Sequence, residues 1–300
     1  NIDIPFVKGL SYKVNFSNNR ISRSNYGFSE AGANLRGSGY KSEAINNDWT
    51  ADHIVTYSRK FNDIHHVNAT LVYGMEERNY TNTYAGASDF INPVLGYNRL
   101  HAGSTDLYDV NSGAWEESSL YQMARLFYGY KDRYLLTGTI RRDGFSGFSE
   151  AHKFGIFPSA AFGWVASLDN LKIRVSYGAN GNRTIARYQT LAIVDGGYNY
   201  ITGDKKSIYT QSINSLASSD LKWETTKGIN VGVDFGILGN RLFGVVDYYN
   251  NNTFDLLYNV DVPSISRYST FPDNLGKIHN HGIDLSLSGM VIKKNDFSWL

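Results

Sequence analysis

Leu171-Lys-Ile-Arg-Val-Ser-Tyr177 is the stretch that decides the architecture. In an extended chain, Leu171, Ile173, Val175 and Tyr177 fall on one face and Lys172, Arg174 and Ser176 on the other. The same period of two returns in His65–Met75, where Val67, Ala69, Leu71, Tyr73 and Met75 oppose His66, Asn68, Thr70 and Val72. Ile229, Val231, Val233 and Phe235 alternate with Asn230, Gly232 and Asp234, and Ile283, Leu285 and Leu287 alternate with Gly282, Asp284, Ser286 and Ser288. Helical spacing is nearly missing. Faces of this kind need two different surroundings, which a lipid-facing wall and a one-sided soluble sheet both provide.

The connections separate those two readings. Strands are expected at Phe6–Asn19, Asp48–Arg59, Ile64–Met75, Ser118–Tyr130, Tyr134–Asp143, Phe154–Ala166, Leu171–Tyr177, Leu221–Ile237, Arg241–Tyr258 and Leu275–Val291. Short turns then fall at Lys60–Asp63, Lys131–Arg133, Ser167–Asn170, Leu238–Asn240 and Lys293–Asp296. Long polar loops fall at Arg20–Asn47, Glu76–Glu117, Gly178–Asp220 and Asn259–Asn274, with a shorter one at Gly144–Lys153. Strict alternation puts every long loop at one end of the sheet, the layout of outer-membrane barrels with tight periplasmic turns and long extracellular loops. A soluble sandwich scatters its loop lengths over both ends.

Composition agrees with this reading. Tyr 22, Phe 16 and Trp 5 make the chain aromatic, Gly is 29 and Pro only 5. Lys+Arg 29 against Asp+Glu 28 leaves a net charge of +1, with nothing to draw nucleic acid. The absence of cysteine excludes disulfides, thiolate metal sites and thiol nucleophiles. Mean hydropathy is -0.35, which a barrel shares with soluble proteins because each strand has one polar face. No run approaches the roughly 18 apolar residues of a membrane helix. The chain opens on Asn1 and closes on Asp296-Phe-Ser-Trp-Leu300, so both ends read as cut. Residues 1–300 are thus expected to form one incomplete wall segment.

Six blocks carry a family resemblance. They are Tyr134-Leu-Leu-Thr-Gly-Thr-Ile-Arg-Arg-Asp143-Gly144; Gly155-Ile-Phe157-Pro158-Ser159 with Gly163-Trp164; Leu171–Tyr177 with Gly178, Gly181 and Asn182; Leu221-Lys-Trp223-Glu224-Thr225-Thr226 with Asn230, Gly232 and Asp234; Asp247-Tyr-Tyr249 with Thr253 and Asp255; and Asn274-Leu-Gly276 with Asn280, Gly282 and Asp284. Their order over Ser118–Leu287 resembles the SusC/RagA family of TonB-dependent outer-membrane transporters. The turn Ser167–Asn170 is shorter than that family's usual one, and the segment before Ser118 adds little. The resemblance implies an antiparallel transmembrane barrel of roughly 22 strands with a plugged lumen, of which about 10–11 strands are here. It also implies import of oligosaccharides or peptides through the bacterial outer membrane, with TonB and a SusD-like surface lipoprotein as partners. It brings no cofactor and no catalysis. A passive porin or adhesin, and a soluble all-β glycan-binding domain, are the alternatives.

Several residues invite chemistry. His279 and His281 share a strand face and could hold a metal, although filling variable positions explains them better. His65 and His66 point to opposite faces. Gly144-Phe-Ser-Gly-Phe148 lacks the context of a nucleophile elbow, and Gly37-Ser-Gly-Tyr-Lys-Ser42 is no phosphate loop. Asp89, Asp106, Asp109, Asp195 and Asp204 have no inferable pairing. Tyr97-Asn-Arg99 and Tyr198-Asn-Tyr200 could stack on sugars or peptides. Arg125, Arg141 and Asp143 are expected in the lumen. Trp164, Trp223, Tyr177, Tyr248 and Tyr258 are candidates for interfacial aromatic girdles, and Gly144, Gly178, Gly181, Gly276 and Gly282 for turns, bulges or close strand approach. No catalytic, cofactor or metal residue is assigned.

Overall fold

The computed structural model describes the chain except residues 31, 33–36, 167–170, 186, 202, 205, 240, 264, 266–267, 269, 291, 295–296 and 300. It also leaves out the side chains of 195, 197–200, 209, 214, 292–294 and 297–299. The described elements are almost all strands. They are β1 (Ile2–Asp3), β2 (Leu10–Ser29), β3 (Ser38–Phe61), β4 (His65–Ser88), β5 (Asp109–Tyr130), β6 (Tyr134–Phe145), β7 (Phe154–Ala166), β8 (Leu171–Asn182), β9 (Ile193–Ile201) and β10 (Ser207–Ser215). They continue with β11 (Glu224–Ile237), β12 (Leu242–Phe254), β13 (Leu257–Asp261), β14 (Thr270–Asn274), β15 (Lys277–Gly289), β16 (Ile292–Lys294) and β17 (Phe297–Trp299). Two short 3₁₀ turns, Gly96–Ala102 and Thr105–Leu107, interrupt the connection before β5.

Eleven strands form one sheet in the order β1-β2-β3-β4-β5-β6-β7-β8-β11-β12-β15, so each strand pairs with the next one that belongs to the sheet. The pairs β9–β10, β13–β14 and β16–β17 are separate hairpins. By contacts the chain divides into two compact units. One comprises Asn1–Val14, His53–Tyr73 and Leu120–Leu300, and the other Asn15–Asp52 and Gly74–Ser119.

Turn chemistry sets the register. Asn62 and Asp63 both have positive φ (50° and 53°), as do Lys131 and Asp132 (52° and 51°). Two successive left-handed residues make the type I′ turn, whose twist matches that of the strands it joins. Ile64 N donates to Phe61 O at 3.0 Å and Arg133 N to Tyr130 O at 3.0 Å, closing both turns. Neighbouring turns are also tied together, since Lys131 N donates to Ile64 O (2.7 Å) and Val165 N to Arg133 O (2.8 Å). The expected turn at Ser167–Asn170 lies outside the described residues, but the flanking ladder runs down to Ala166 opposite Leu171.

The long-short alternation holds, but the long connections are shorter than expected. β2 continues to Ser29 and β3 begins at Ser38, so most of Arg20–Asn47 is strand. β4 continues to Ser88 and β5 begins at Asp109, which reclaims much of Glu76–Glu117. The hairpins β9–β10 and β13–β14 occupy the other two expected loops. Strands of 20 to 24 residues are about twice the 9–11 that a bilayer crossing needs. Their extra length intersperses polar residues with aromatic ones such as Tyr26, Tyr40, Tyr80 and Tyr84.

Candidate functional site

Register converts the alternation into surfaces. One set of cross-strand neighbours runs Leu136–Phe162–Val175–Val231–Tyr248–Ile283 from β6 to β15. The next runs Tyr134–Trp164–Ile173–Val233–Val246–Leu285. These side chains have no protein over them: Leu136 is 52% exposed, Leu285 62% and Ile283 71%. Two adjoining rows of large apolar groups over six strands far exceed the isolated apolar residues of a water-facing surface. Trp164, Tyr177 and Tyr248 lie on this face, as the girdle reading requires.

The opposite face is polar and charged. Its central row is Gly163–Arg174–Gly232–Asp247–Asp284. Arg174 on β8 donates from Nη2 to Asp234 Oδ1 on β11 (2.8 Å) and to Asp247 Oδ2 on β12 (3.1 Å). Reaching β12 means crossing β11, and Gly232 is what clears the path. A Cβ there would lie 2.8 Å from Arg174 Nη2 and against Asp247 Oδ1. Arg141 forms a bidentate pair with Asp143 two residues along the same strand, at 2.7–3.0 Å, and lies over the Tyr121 ring. Arg125 is exposed on β5.

Four separate stretches of chain meet in one buried core. The β7–β8 ladder stops at Ser159 opposite Gly178. Beyond it Phe145, Phe148 (2% exposed), Phe157, Ala179, Leu221 (0%) and Trp223 (8%) pack together. Trp223 lies 5.0 Å from the Phe148 ring and 5.5 Å from Phe157, and its Nε1 donates to Lys153 O at 3.2 Å. It is therefore a core residue, not the girdle residue expected, because the chain before β11 turns inward to cover it. Gly144 and Gly181 serve close approach, in place of a turn: a Cβ on Gly181 would lie 2.6 Å from Phe157 Cε1, and one on Gly144 2.8 Å from Phe154 Cδ1. Asn274 completes the cluster by donating from Nδ2 to Lys222 O (2.9 Å) and Asp255 O (2.8 Å), while its Oδ1 accepts from Lys222 N (2.8 Å). Glu224 accepts from Asn182 Nδ2 and from Leu257 N, each at 3.2 Å. The sequence offered one signal for this core, the pair Phe145 and Phe148 in a short connection.

The second unit has its own aromatic cleft of about 640 Å³. Ser24, Asn25, Tyr26, Tyr40, Tyr84 and Tyr97 line it. Tyr26 stacks on Tyr97 (5.5 Å between centroids) and Tyr40 on Tyr84 (5.9 Å), with Lys41 Nζ 5.3 Å from the Tyr26 ring. Flat faces edged by hydroxyl and amide groups can take sugar rings or peptide planes. Tyr97 is thus placed where ligand contact is feasible, whereas the side chains of Tyr198, Tyr200 and Asp195 lie outside the described residues. Asp106 sits in a 3₁₀ turn, Asp109 begins β5 and Asp204 pairs with Lys206 at 3.3 Å. His279 stacks on His281 (4.9 Å) and bonds Asn250 Oδ1 at 2.9 Å. Among the described residues no three His, Cys, Asp or Glu groups gather as a metal site. All of Gly37–Ser42 but Gly37 lies within β3, with no helix behind it.

An antiparallel wall with an apolar outer band, a charged inner face, tight turns at one end and long extensions at the other defines a transmembrane β-barrel of the outer membrane. The chain belongs to the family of TonB-dependent receptor-like β-barrels, whose model matches residues 4–300. It is 30% identical to TonB-dependent receptor P3 of Formosa agariphila over 98% of this chain and 30% of that protein. It is 36% identical to TonB-dependent receptor SusC of Bacteroides thetaiotaomicron over 58% of the chain and 19% of that protein. Among solved structures, the RagAB peptide transporter superposes with a TM-score of 0.81 at 25% identity, over 97% of this chain and 33% of that one. The chain therefore spans between about a fifth and a third of the length of these relatives. It is a SusC/RagA-like part of a barrel. Residues 4–117, which added little to the resemblance, fall within the match as well.

Proposed function

We propose that the chain is barrel wall in a transporter that imports oligosaccharides or peptides, powered through TonB and assisted by a SusD-like surface lipoprotein. The observation that carries this is the RagAB superposition, which covers 97% of the chain. The charged inner face suits hydrophilic cargo, and the tyrosine cleft offers contacts of the right chemistry. In this reading residues 1–300 supply wall alone, and energy coupling depends on a plug and a TonB-contacting segment outside them. The test is uptake of fluorescently labelled peptides and oligosaccharides by cells producing the full-length protein, with and without tonB. Saturable uptake that disappears with tonB supports the proposal. Uptake indifferent to tonB, together with steady conductance of the purified protein in a planar bilayer, assigns it to the passive porins instead.

A further inference from the structure

We infer that His279, His281 and Asn250 form a surface site for a divalent transition metal of the Cu2+ or Ni2+ kind. Register brings them together. On β15 His279 and His281 share the outward face with Ile283, Leu285 and Leu287, and Asn250 on β12 is the cross-strand neighbour of His281. The site lies one outward step beyond the row of Tyr248 and Ile283, on the long-loop side of the apolar band.

The sequence offers two imidazoles two residues apart, and the structure adds a third donor. His279 Nε2 and Asn250 Oδ1 are 2.9 Å apart. Asn252, the cross-strand neighbour of His279, donates from Nδ2 to the same Oδ1 at 3.4 Å, which holds the amide with its oxygen toward the ring. The His279 and His281 rings stack with centroids 4.9 Å apart.

Both separations suit a single shared ion. Nitrogen and oxygen bound at about 2.1 Å lie about 3.0 Å apart at a right angle and about 3.4 Å apart at the tetrahedral angle. The 2.9 Å found here fits the right angle, which tetragonal Cu2+ and Ni2+ sites adopt with nitrogen and oxygen ligands. Two imidazoles on one ion have centroids about 4.5 Å apart at a right angle and about 5.2 Å apart at the tetrahedral angle. The observed 4.9 Å lies between them. Both rings are exposed, so each can turn about χ2 to aim its nitrogen at the ion. Metal on Nε2 leaves the proton of the neutral ring on Nδ1.

Among the seven histidines only this pair brings two imidazoles together. His53 bonds the Tyr12 hydroxyl (2.6 Å), His65 the Tyr128 hydroxyl (2.7 Å) and His152 Asp220 (3.1 Å). His66 meets the Phe127 ring edge-on, and His101 accepts from Arg99 at 3.3 Å. Lys227 and Lys277 stand beside the site, with Nζ 5.8 and 4.7 Å from the Phe254 centroid. Their repulsion acts on every dication alike, so it selects the ion with the strongest intrinsic hold on imidazole, which is Cu2+.

The experiment uses full-length protein purified in detergent, titrated calorimetrically with Cu2+, Ni2+ and Mg2+. Electron paramagnetic resonance of the Cu2+ complex counts the bound nitrogens. A Cu2+ site with two imidazole nitrogens is expected, with Ni2+ weaker and Mg2+ not bound there. His279→Ala with His281→Ala removes that site, and either change alone weakens Cu2+ binding about tenfold or more. Asn250→Leu weakens it as well, whereas Asn250→Asp, which supplies a charged oxygen, tightens it. His65→Ala leaves it unchanged. Heat-modifiable gel mobility confirms that each variant is folded. Equal Cu2+ binding by folded wild type and double variant, or none by either, overturns the inference. Wild-type affinity in Asn250→Leu overturns the three-donor site.

Discussion

Replacing Val231 with Arg tests the assignment of the two faces against its immediate neighbour, Asn230. The outward apolar run on β11 from Ile229 to Ile237 spans eight residue steps, about 27 Å of strand. A strand tilt of about 40° brings this to about 21 Å of height, close to the apolar band of about 25 Å in such barrels. Val233 then lies at mid-band, and Val231, two residues higher, about 5 Å from it. Arginine facing lipid at the midplane costs about 2–4 kcal/mol and less toward the edges. Loss of the valine's contacts with Val175 and Tyr248, its cross-strand neighbours, adds about 1–2 kcal/mol. The expected loss is therefore about 3–5 kcal/mol for Val231→Arg. Asn230→Arg, at nearly the same depth on the inner face, should change stability by about 0.5 kcal/mol at most. Urea unfolding of full-length protein in phosphatidylcholine vesicles, read by heat-modified gel mobility, measures both. With a slope of about 2–3 kcal/mol per molar, Val231→Arg should lower the midpoint by about 1–2 M. Equal losses at 230 and 231, or a silent Val231→Arg, would refute the lipid assignment.

Trp223→Ala removes both ring contacts and the donor to Lys153 O, so a loss of about 3–5 kcal/mol is expected, seen as protease cutting at residues 146–153. Asn274→Ala deletes three hydrogen bonds at once; amide exchange at Lys222 and Leu257 should quicken together, while β6 amides stay protected. Gly232→Ala puts a methyl where Arg174 crosses β11 and should cost about 1–3 kcal/mol. If that cost is the lost Arg174–Asp247 pair, adding Arg174→Met to Gly232→Ala costs less than Arg174→Met alone, which a double-mutant cycle in the vesicle assay resolves.

The sequence was most legible where two surroundings act on one strand. Phe154–Ala166 is expected and observed with the same ends, and Tyr134–Asp143 falls two residues short of β6. The larger misses lie on the long-loop side. β2 outruns Asn19 by ten residues, β3 starts ten before Asp48, β4 outruns Met75 by thirteen and β5 starts nine before Ser118. Arg78-Asn-Tyr-Thr-Asn-Thr-Tyr84 shows why. With water on both sides no face must be apolar, so alternation disappears, yet the backbone ladder needs only a neighbour to pair with. Trp223 was misplaced for a related reason. An aromatic residue beside a strand reads the same whether lipid or a folded-over connection covers it, and only the contacts of Phe148 and Phe157 decide.

Some residues of the blocks that carry the family resemblance are therefore parts of a mechanical joint. Phe145, Phe148, Phe157, Ala179, Leu221 and Trp223 close one core, and Asn182, Lys222, Glu224, Asp255, Leu257 and Asn274 close one hydrogen-bond cluster, although these residues are scattered along the chain. A joint of this kind fixes where β7 and β8 part and how the chain returns to β11, and it accommodates no cargo, because its interior is filled by Phe148 and Leu221. In the proposed transport reading, contacts with cargo come from surfaces the joint leaves open, the charged face around Arg174 and the tyrosine cleft of the second unit. Neither depends on the buried side chains of the joint. Substitutions in the cleft can alter which ligand stacks there without disturbing the ladder, since a strand paired on its backbone accepts almost any side chain that water can solvate. One wall can in this way keep its fold signature while its ligand preference changes.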